Sequence, residues 1–175
     1  MSFYFGIDPG IKGAVSFLDD SSGQIFAFRL PVTKDKEIDG GRLKKLFDKF
    51  PCEYGVLEKV GAMPRQGVTS MFSFGKTYGI LMGCLQIVGV PFDRATPQTW
   101  QKFFKLIKPG EGRSKKDRKR QIKEFGQDIL TIESERSVPQ DVIESSLLAV
   151  YAYKTFVKSD AFERFYLIYK KVPTT

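Results

Sequence analysis

The 175-residue chain contains no histidine. That removes Ser-His-Asp and Cys-His nucleophilic catalysis, His-ligated zinc and His general bases. Its chemistry has to come from carboxylates, Lys, Tyr, Ser/Thr or a metal ion held by oxygen ligands. Four carboxylates stand out by position. Asp8 ends the apolar run Phe3-Tyr4-Phe5-Gly6-Ile7. Pro9 and Gly10 then force a turn, among small residues that let another group approach closely. Such a place suits a metal ion or a phosphate, and equally Asp8 can simply open an Asp-Pro-Gly turn between two strands. Glu58 ends a second strand-like run, residues 54–58, as a site residue or as a surface charge. Asp141 and Glu144 lie three apart at the start of an apolar helical stretch, so they share a face. Asp-x-x-Glu in that position is also a close analogue of the helix capping box. Two strand-end carboxylates and two on a helix face can hold two Mg²⁺ ions with oxygen ligands alone. Two ions about 4 Å apart can clamp the attacking and leaving oxygens of a phosphodiester displacement.

The elements around these residues follow from pattern. Residues 13–19 read as a second strand, a turn at Asp20-Ser21-Ser22-Gly23 follows, and residues 24–30 read as a third, giving an antiparallel meander. Leu43, Leu46, Phe47 and Phe50 are spaced for an amphipathic helix over 42–50. A strand reached through a helix pairs in parallel with the earlier sheet, which places Glu58 near the same end as Asp8. A long helix is expected over 69–88, with Gly75, Gly79 and Gly83 on one face. Packing on the sheet, on a partner subunit or on a ligand would each explain that stripe, with the sheet as the default. A short strand covers 90–95, and Thr96-Pro97 is a helix start. Residues 108–113 are loop-like, 114–125 form a basic helix, and 128–137 have no defined type. A largely buried helix is expected over 141–153. The aromatic tail, 161–170, has no assigned type.

At 42% apolar and 14% aromatic, the chain is expected to form one domain over residues 1–175. No apolar run reaches about 18 residues unbroken, so no membrane span is expected. The N-terminus lacks the pattern of a secretory signal. Cys52 and Cys84 are expected as free thiols in a reducing compartment, cytoplasmic or otherwise intracellular, with an organelle left open. Residues 94–124 hold eleven Lys/Arg against three Asp/Glu, which accounts for the whole net charge of +8. A basic segment on a balanced domain points to a polyanion partner or to a solvated helix face.

Gly6-Ile7-Asp8-Pro9-Gly10, then Leu57-Glu58-Lys59-Val60, then Asp141-Val142-Ile143-Glu144 with Leu147-Leu148-Ala149, resembles the RuvC-type Holliday junction resolvases. The run Met63-Pro64-Arg65-Gln66-Gly67-Val68-Thr69-Ser70-Met71-Phe72 with Phe74-Gly75, and Thr96-Pro97-Gln98-Thr99-Trp100, looks like the phage and other divergent members. The resemblance covers residues 3–153. It implies an α/β, ribonuclease H-like fold. Its mixed five-stranded sheet, three antiparallel strands and then parallel additions, would be flanked by helices. It implies a homodimer that cuts opposed strands of four-way or otherwise branched DNA, using Mg²⁺ or Mn²⁺, two ions per site. Asp8, Glu58, Asp141 and Glu144 match the four acidic positions as metal ligands and catalytic residues. Lys102, Arg113, Lys115 and Lys116 fall where the family places DNA-binding lysines, and Arg65 and Lys76 are further candidates. Two departures stand out. The family usually closes with Asp-x-x-Asp, where this chain has Glu144. The aromatic residue that bacterial members carry three positions after the strand carboxylate is Gly61, leaving base stacking to Met63 or Phe72, or to none. Glu144 keeps open a junction-binding protein with weak or no cleavage. Gly-Ile-Asp-x-Gly also opens actin-like ATPases and sugar kinases, but those need two related domains, and Glu58 and Asp141 would have no role.

Overall fold

A computed structural model of the chain describes residues 1–61, 67–107, 114–133, 137–158, 162 and 164–170. Strands β1 (Phe3–Asp8), β2 (Ala14–Asp19) and β3 (Gln24–Arg29) form the antiparallel meander. The first turn needs Gly10, whose φ is +137°, and closes with the Gly13 N–H donating to the Gly10 carbonyl at 3.0 Å. Helix α1 (Gly40–Lys49) is capped by Asp39, whose side chain accepts from the Arg42 N–H at 3.0 Å. It buries Leu43, Leu46 and Phe47. Strand β4 (Cys52–Glu58) then runs parallel to β1. Helix α2 (Val68–Val88) leads to β5 (Phe92–Ala95), parallel to β4. Thr96 caps α3 (Pro97–Phe103), accepting from the Thr99 N–H at 3.2 Å. Helix α4 (Lys115–Ile129) runs straight into β6 (Leu130–Glu133). Helix α5 (Gln140–Val157) and β7 (Phe165–Lys170) complete the order.

Among the described residues the sheet has seven strands, not five, in the order β5-β4-β1-β2-β3-β7-β6. The two additions are the short β6, in a region without a defined pattern, and β7, in the aromatic tail. Both pair in parallel, β7 with β3 and β6 with β7.

Side-chain alternation divides the core. Phe3, Phe5, Ile7, Val15, Phe17, Phe28 and Leu57 pack with α1 and α2 on one face. Tyr4, Ala14, Leu18, Ile25, Ala27, Val56 and Ala95 pack with α3, α4 and α5 on the other. Helix α5 lies directly on β1. A Cβ on Gly6 would stand 2.3 Å from the Ala149 nitrogen and from the Ser145 carbonyl oxygen. The Ser16 hydroxyl of β2 bonds the hydroxyls of Ser145 (2.7 Å) and Ser146 (3.1 Å), so these buried polar groups are satisfied.

The glycine stripe of α2 does not pack on the sheet. Thr77, Leu81 and Leu85 are the residues α2 buries, and a Cβ on Gly75, Gly79 or Gly83 would meet nothing within 4 Å. Both cysteines are free. Among the described residues no helix is long and apolar enough to cross a membrane.

Candidate active site

The sheet sets a row of residues at the carboxyl ends of β1 and β4. Glu58 pairs with Ala95 on one side, Asp8 with Ala14 on the other, and Ala14 in turn with Arg29. Ile7 is in register with Leu57, so Asp8 and Glu58 come next on neighbouring strands. The parity that puts Val56, Ala14 and Ala27 on the α5 face puts Glu58, Asp8 and Arg29 there as well. The N-terminus of α5 supplies Asp141 and Glu144 to the same place.

Helix α5 begins at Pro139, whose carbonyl accepts from the Val142 and Ile143 N–H groups at 3.1 and 3.2 Å. No side-chain cap is made there. Asp141 is therefore not a capping-box residue. Its Oδ2 instead accepts from Arg29 Nη1 at 2.6 Å. That same Nη1 also donates to the Lys12 carbonyl in the β1–β2 turn. Glu144 Oε1 accepts from Gln140 Nε2 at 2.8 Å. Glu58 Oε1 accepts from the indole N–H of Trp100, fully buried on α3, at 2.8 Å.

The electrostatics are those of crowded, desolvated acids. Burial, and then the charges of Glu144, Glu58 and Asp141, push the Asp8 carboxyl well above its usual range, against a smaller pull from Lys119. Burial raises Glu58 to about 7, opposed by the Trp100 hydrogen bond and helped by Glu144. Glu144 is also raised, by burial first and by Asp141, with Gln140 and Lys119 pulling it down. The four acids therefore act on one another. Yet among the described residues no three Asp, Glu or Cys side chains stand close enough to hold an ion. The two facts agree, because charges interact well beyond ligand distance in a poorly solvated site. Arg29, Gln140 and Trp100 each hold one carboxylate in its present position. In kind the donor set fits a hard divalent cation: oxygen-only, and anionic at one end of a sheet.

The basic candidates fall into three groups. Lys102 and Lys116 are exposed, on α3 and α4. Lys76 is paired with Glu37 across the surface. Arg65, Arg113 and Met63 lie outside the described residues, and of Lys115 only the helical backbone is described. Phe72 is an exposed aromatic on α2. Helix α4 packs on α5 through Ile122 and Gly126, where a Cβ would stand 2.4 Å from Ile143. Its Lys119 acts on Asp8 and Glu144 of the acidic row, and the Lys119 carbonyl accepts from Gln140 Nε2 at 3.3 Å. The sequence alone assigns no role at the site to Arg29, Trp100 or Gln140. Arg29 carries a readable signal, since it continues the alternation of Ile25 and Ala27 at a strand end. The indole-to-Glu58 contact crosses from α3 to β4 and has no local signature.

The sequence matches no protein-family model and no curated protein. Solved structures do resemble it. Thermus thermophilus RuvC superposes with a TM-score of 0.54 at 17% identity, over 85% of this chain and 91% of that one. T. thermophilus RuvC in complex with a Holliday junction substrate gives 0.51 at 13% identity, over 85% and 90%. A fowlpox virus resolvase, solved with substrate Holliday junction DNA, gives 0.48 at 19% identity, over 90% and 99%. The chain has the ribonuclease H-like fold of RuvC.

Proposed function

We propose that the chain is a divalent-metal-dependent, structure-selective endonuclease that resolves four-way or branched DNA junctions as a homodimer. The observation that carries this reading is the meeting of Asp8, Glu58, Asp141 and Glu144 at one end of the sheet on one face. Beside them lies the basic helix α4. Asp8, Glu58 and Glu144 all hold their protons more tightly than ordinary carboxylates, so the site as it stands is short of positive charge. These four residues would hold Mg²⁺ or Mn²⁺, which would supply Lewis-acid charge for a phosphodiester displacement. In the reaction a water oxygen forms a bond to phosphorus, the bond to one sugar oxygen breaks, and that oxygen takes up a proton.

The chain's own residues do the rest. Trp100 and Gln140 fix the Glu58 and Glu144 carboxyls. The sheet register fixes Asp8 beside Glu58, and α5, pressed on Gly6, brings in the other pair. Lys102, Lys116 and the further basic residues of α4 would bind phosphates, which positions DNA without reading bases. The exposed apolar side chains Val68, Met71, Phe72 and Ile87 on α2, with the open glycine face, favour a second copy of the chain as partner there.

The test is a nicking assay on a synthetic four-way junction with Mg²⁺ or Mn²⁺, comparing the parent with Asp8→Asn. The parent should cut and the variant should bind the junction without cutting. Cleavage at the parental rate by Asp8→Asn would sink the site assignment. A parent that binds junctions and never cuts them would establish the binding-protein reading, for which Glu144 is the sequence feature.

A further inference from the structure

Arg29 occupies the place where positive charge is needed. Its Nη1 lies 2.6 Å from Asp141 Oδ2, and the two side chains are 35% and 32% exposed. The guanidinium is tied at its other contact to the Lys12 carbonyl, in the turn beside Asp8. Lys119 acts on Asp8 and Glu144 as well, but as a smaller influence than their burial. Arg29 is thus a cation belonging to the chain, seated on one of the four carboxylates. A divalent ion drawing on Asp141 has to compete with it for the same oxygen. A guanidinium removed from its carboxylate would be left at the mouth of the site, partly solvated and forked for a phosphate.

We propose that Arg29 is a positioning residue that exchanges partners, from Asp141 to a phosphate of bound DNA, and so couples ion loading to substrate binding. This rests on the endonuclease reading above. Without DNA, Arg29 neutralises Asp141 and weakens divalent-ion binding. With DNA, a phosphate accepts the guanidinium and Asp141 is released toward Asp8 and Glu144. Linkage is reciprocal, so ions tighten DNA binding by the same factor by which DNA tightens ion binding.

Trp100 makes this measurable without activity. It is the only tryptophan of the chain and it touches Glu58, so Mn²⁺ bound at the site should quench its fluorescence. Mn²⁺ is titrated with and without synthetic four-way junction DNA, mixed rapidly and read before turnover. For the parent, junction DNA should lower the half-saturating Mn²⁺ concentration about tenfold, within the usual span of coupling between sites. Arg29→Met should bind Mn²⁺ about tenfold more tightly than the parent without DNA, and DNA should then shift it no further. Arg29→Lys keeps the charge and loses the fork, so its DNA-induced shift should fall between the two. If Arg29→Met fails to give the parental circular dichroism spectrum, Arg29→Lys decides, and a full parental shift there overturns the proposal. So does an Arg29→Met protein that binds Mn²⁺ no more tightly than the parent, or one that keeps the DNA-induced shift. In either case a quenched parent leaves the ion site standing. No quenching of the parent, with or without DNA, overturns both the exchange and the ion site on which it rests.

Discussion

Glu58 ionises near 7 in the fold, against an ordinary 4.5, because burial penalises its charged form. The folded protein therefore binds that proton more tightly than the unfolded chain does. Its contribution to stability is full below about 4.5 and is lost as pH rises through about 7, a change on the order of 3 kcal/mol. Asp8 and Glu144 are raised in the same direction and add to the slope. In chelator, the melting temperature should fall between pH 4.5 and 7.5, and Glu58→Gln should flatten that fall. A melting temperature that climbs across this window would contradict the buried, mutually repelling arrangement. Adding Mg²⁺ at pH 7.5 should recover the loss, since an ion binds the ionised forms. The four acids were legible in the sequence by order and spacing. Their partners were less so, because Trp100, Gln140 and Arg29 matter through contacts that only the register and helix placement create. Asp141 shows the limit most plainly: its spacing to Glu144 is that of a helix cap, and the structure gives its carboxylate to Arg29 instead.

Element by element, the pairing that decides the site is α5 against β1. Gly6 is where the helix backbone touches the strand, and no side chain fits between them. Gly6→Ala should cost roughly 1–3 kcal/mol by overpacking, read as a lower urea midpoint at unchanged slope. It should also lift Asp141 and Glu144 away from Asp8, so junction cutting should drop more than folded yield does. Parental stability would mean that α5 yields easily at this contact. The meander, α1, β4, α3 and the buried α5 were readable because each carries a local period or a cap. Strand β6 has only four residues, too few for alternation to stand out. Strand β7 does alternate, with Phe165 and Leu167 buried and Tyr166 exposed, but its neighbours in the sheet are distant in sequence. In α2 the glycine spacing drew attention to the open face, while the stripe that meets the sheet is Thr77, Leu81 and Leu85.

Across the whole molecule, charge and apolar surface are segregated. The positive excess lies in residues 94–124 and the acids lie beside α4, while α2 shows apolar side chains and a bare glycine face to solvent. Within one copy, a Cβ at position 79 meets nothing within 4 Å, and Gly79→Leu replaces a poor helix former. The isolated fold should therefore gain, by roughly 0.5–1 kcal/mol. In a dimer formed through this face the same change blocks close approach. Sedimentation should show the parent at twice the chain mass and Gly79→Leu at the single mass. A variant that remains dimeric would move the interface elsewhere. The order of the sheet also has a consequence in time. Strand β6 is synthesised before β7 but lies outside it, and among the described strands it pairs with β7 alone. On a ribosome, which delivers a chain from its N-terminus, β6 has no edge to join until residues 165–170 have emerged. Helix α4 runs directly into β6, so its Gly126 can reach Ile143 of α5 before the strand that follows it is held by the sheet. A nascent chain can thus assemble its acidic row before its sheet is complete.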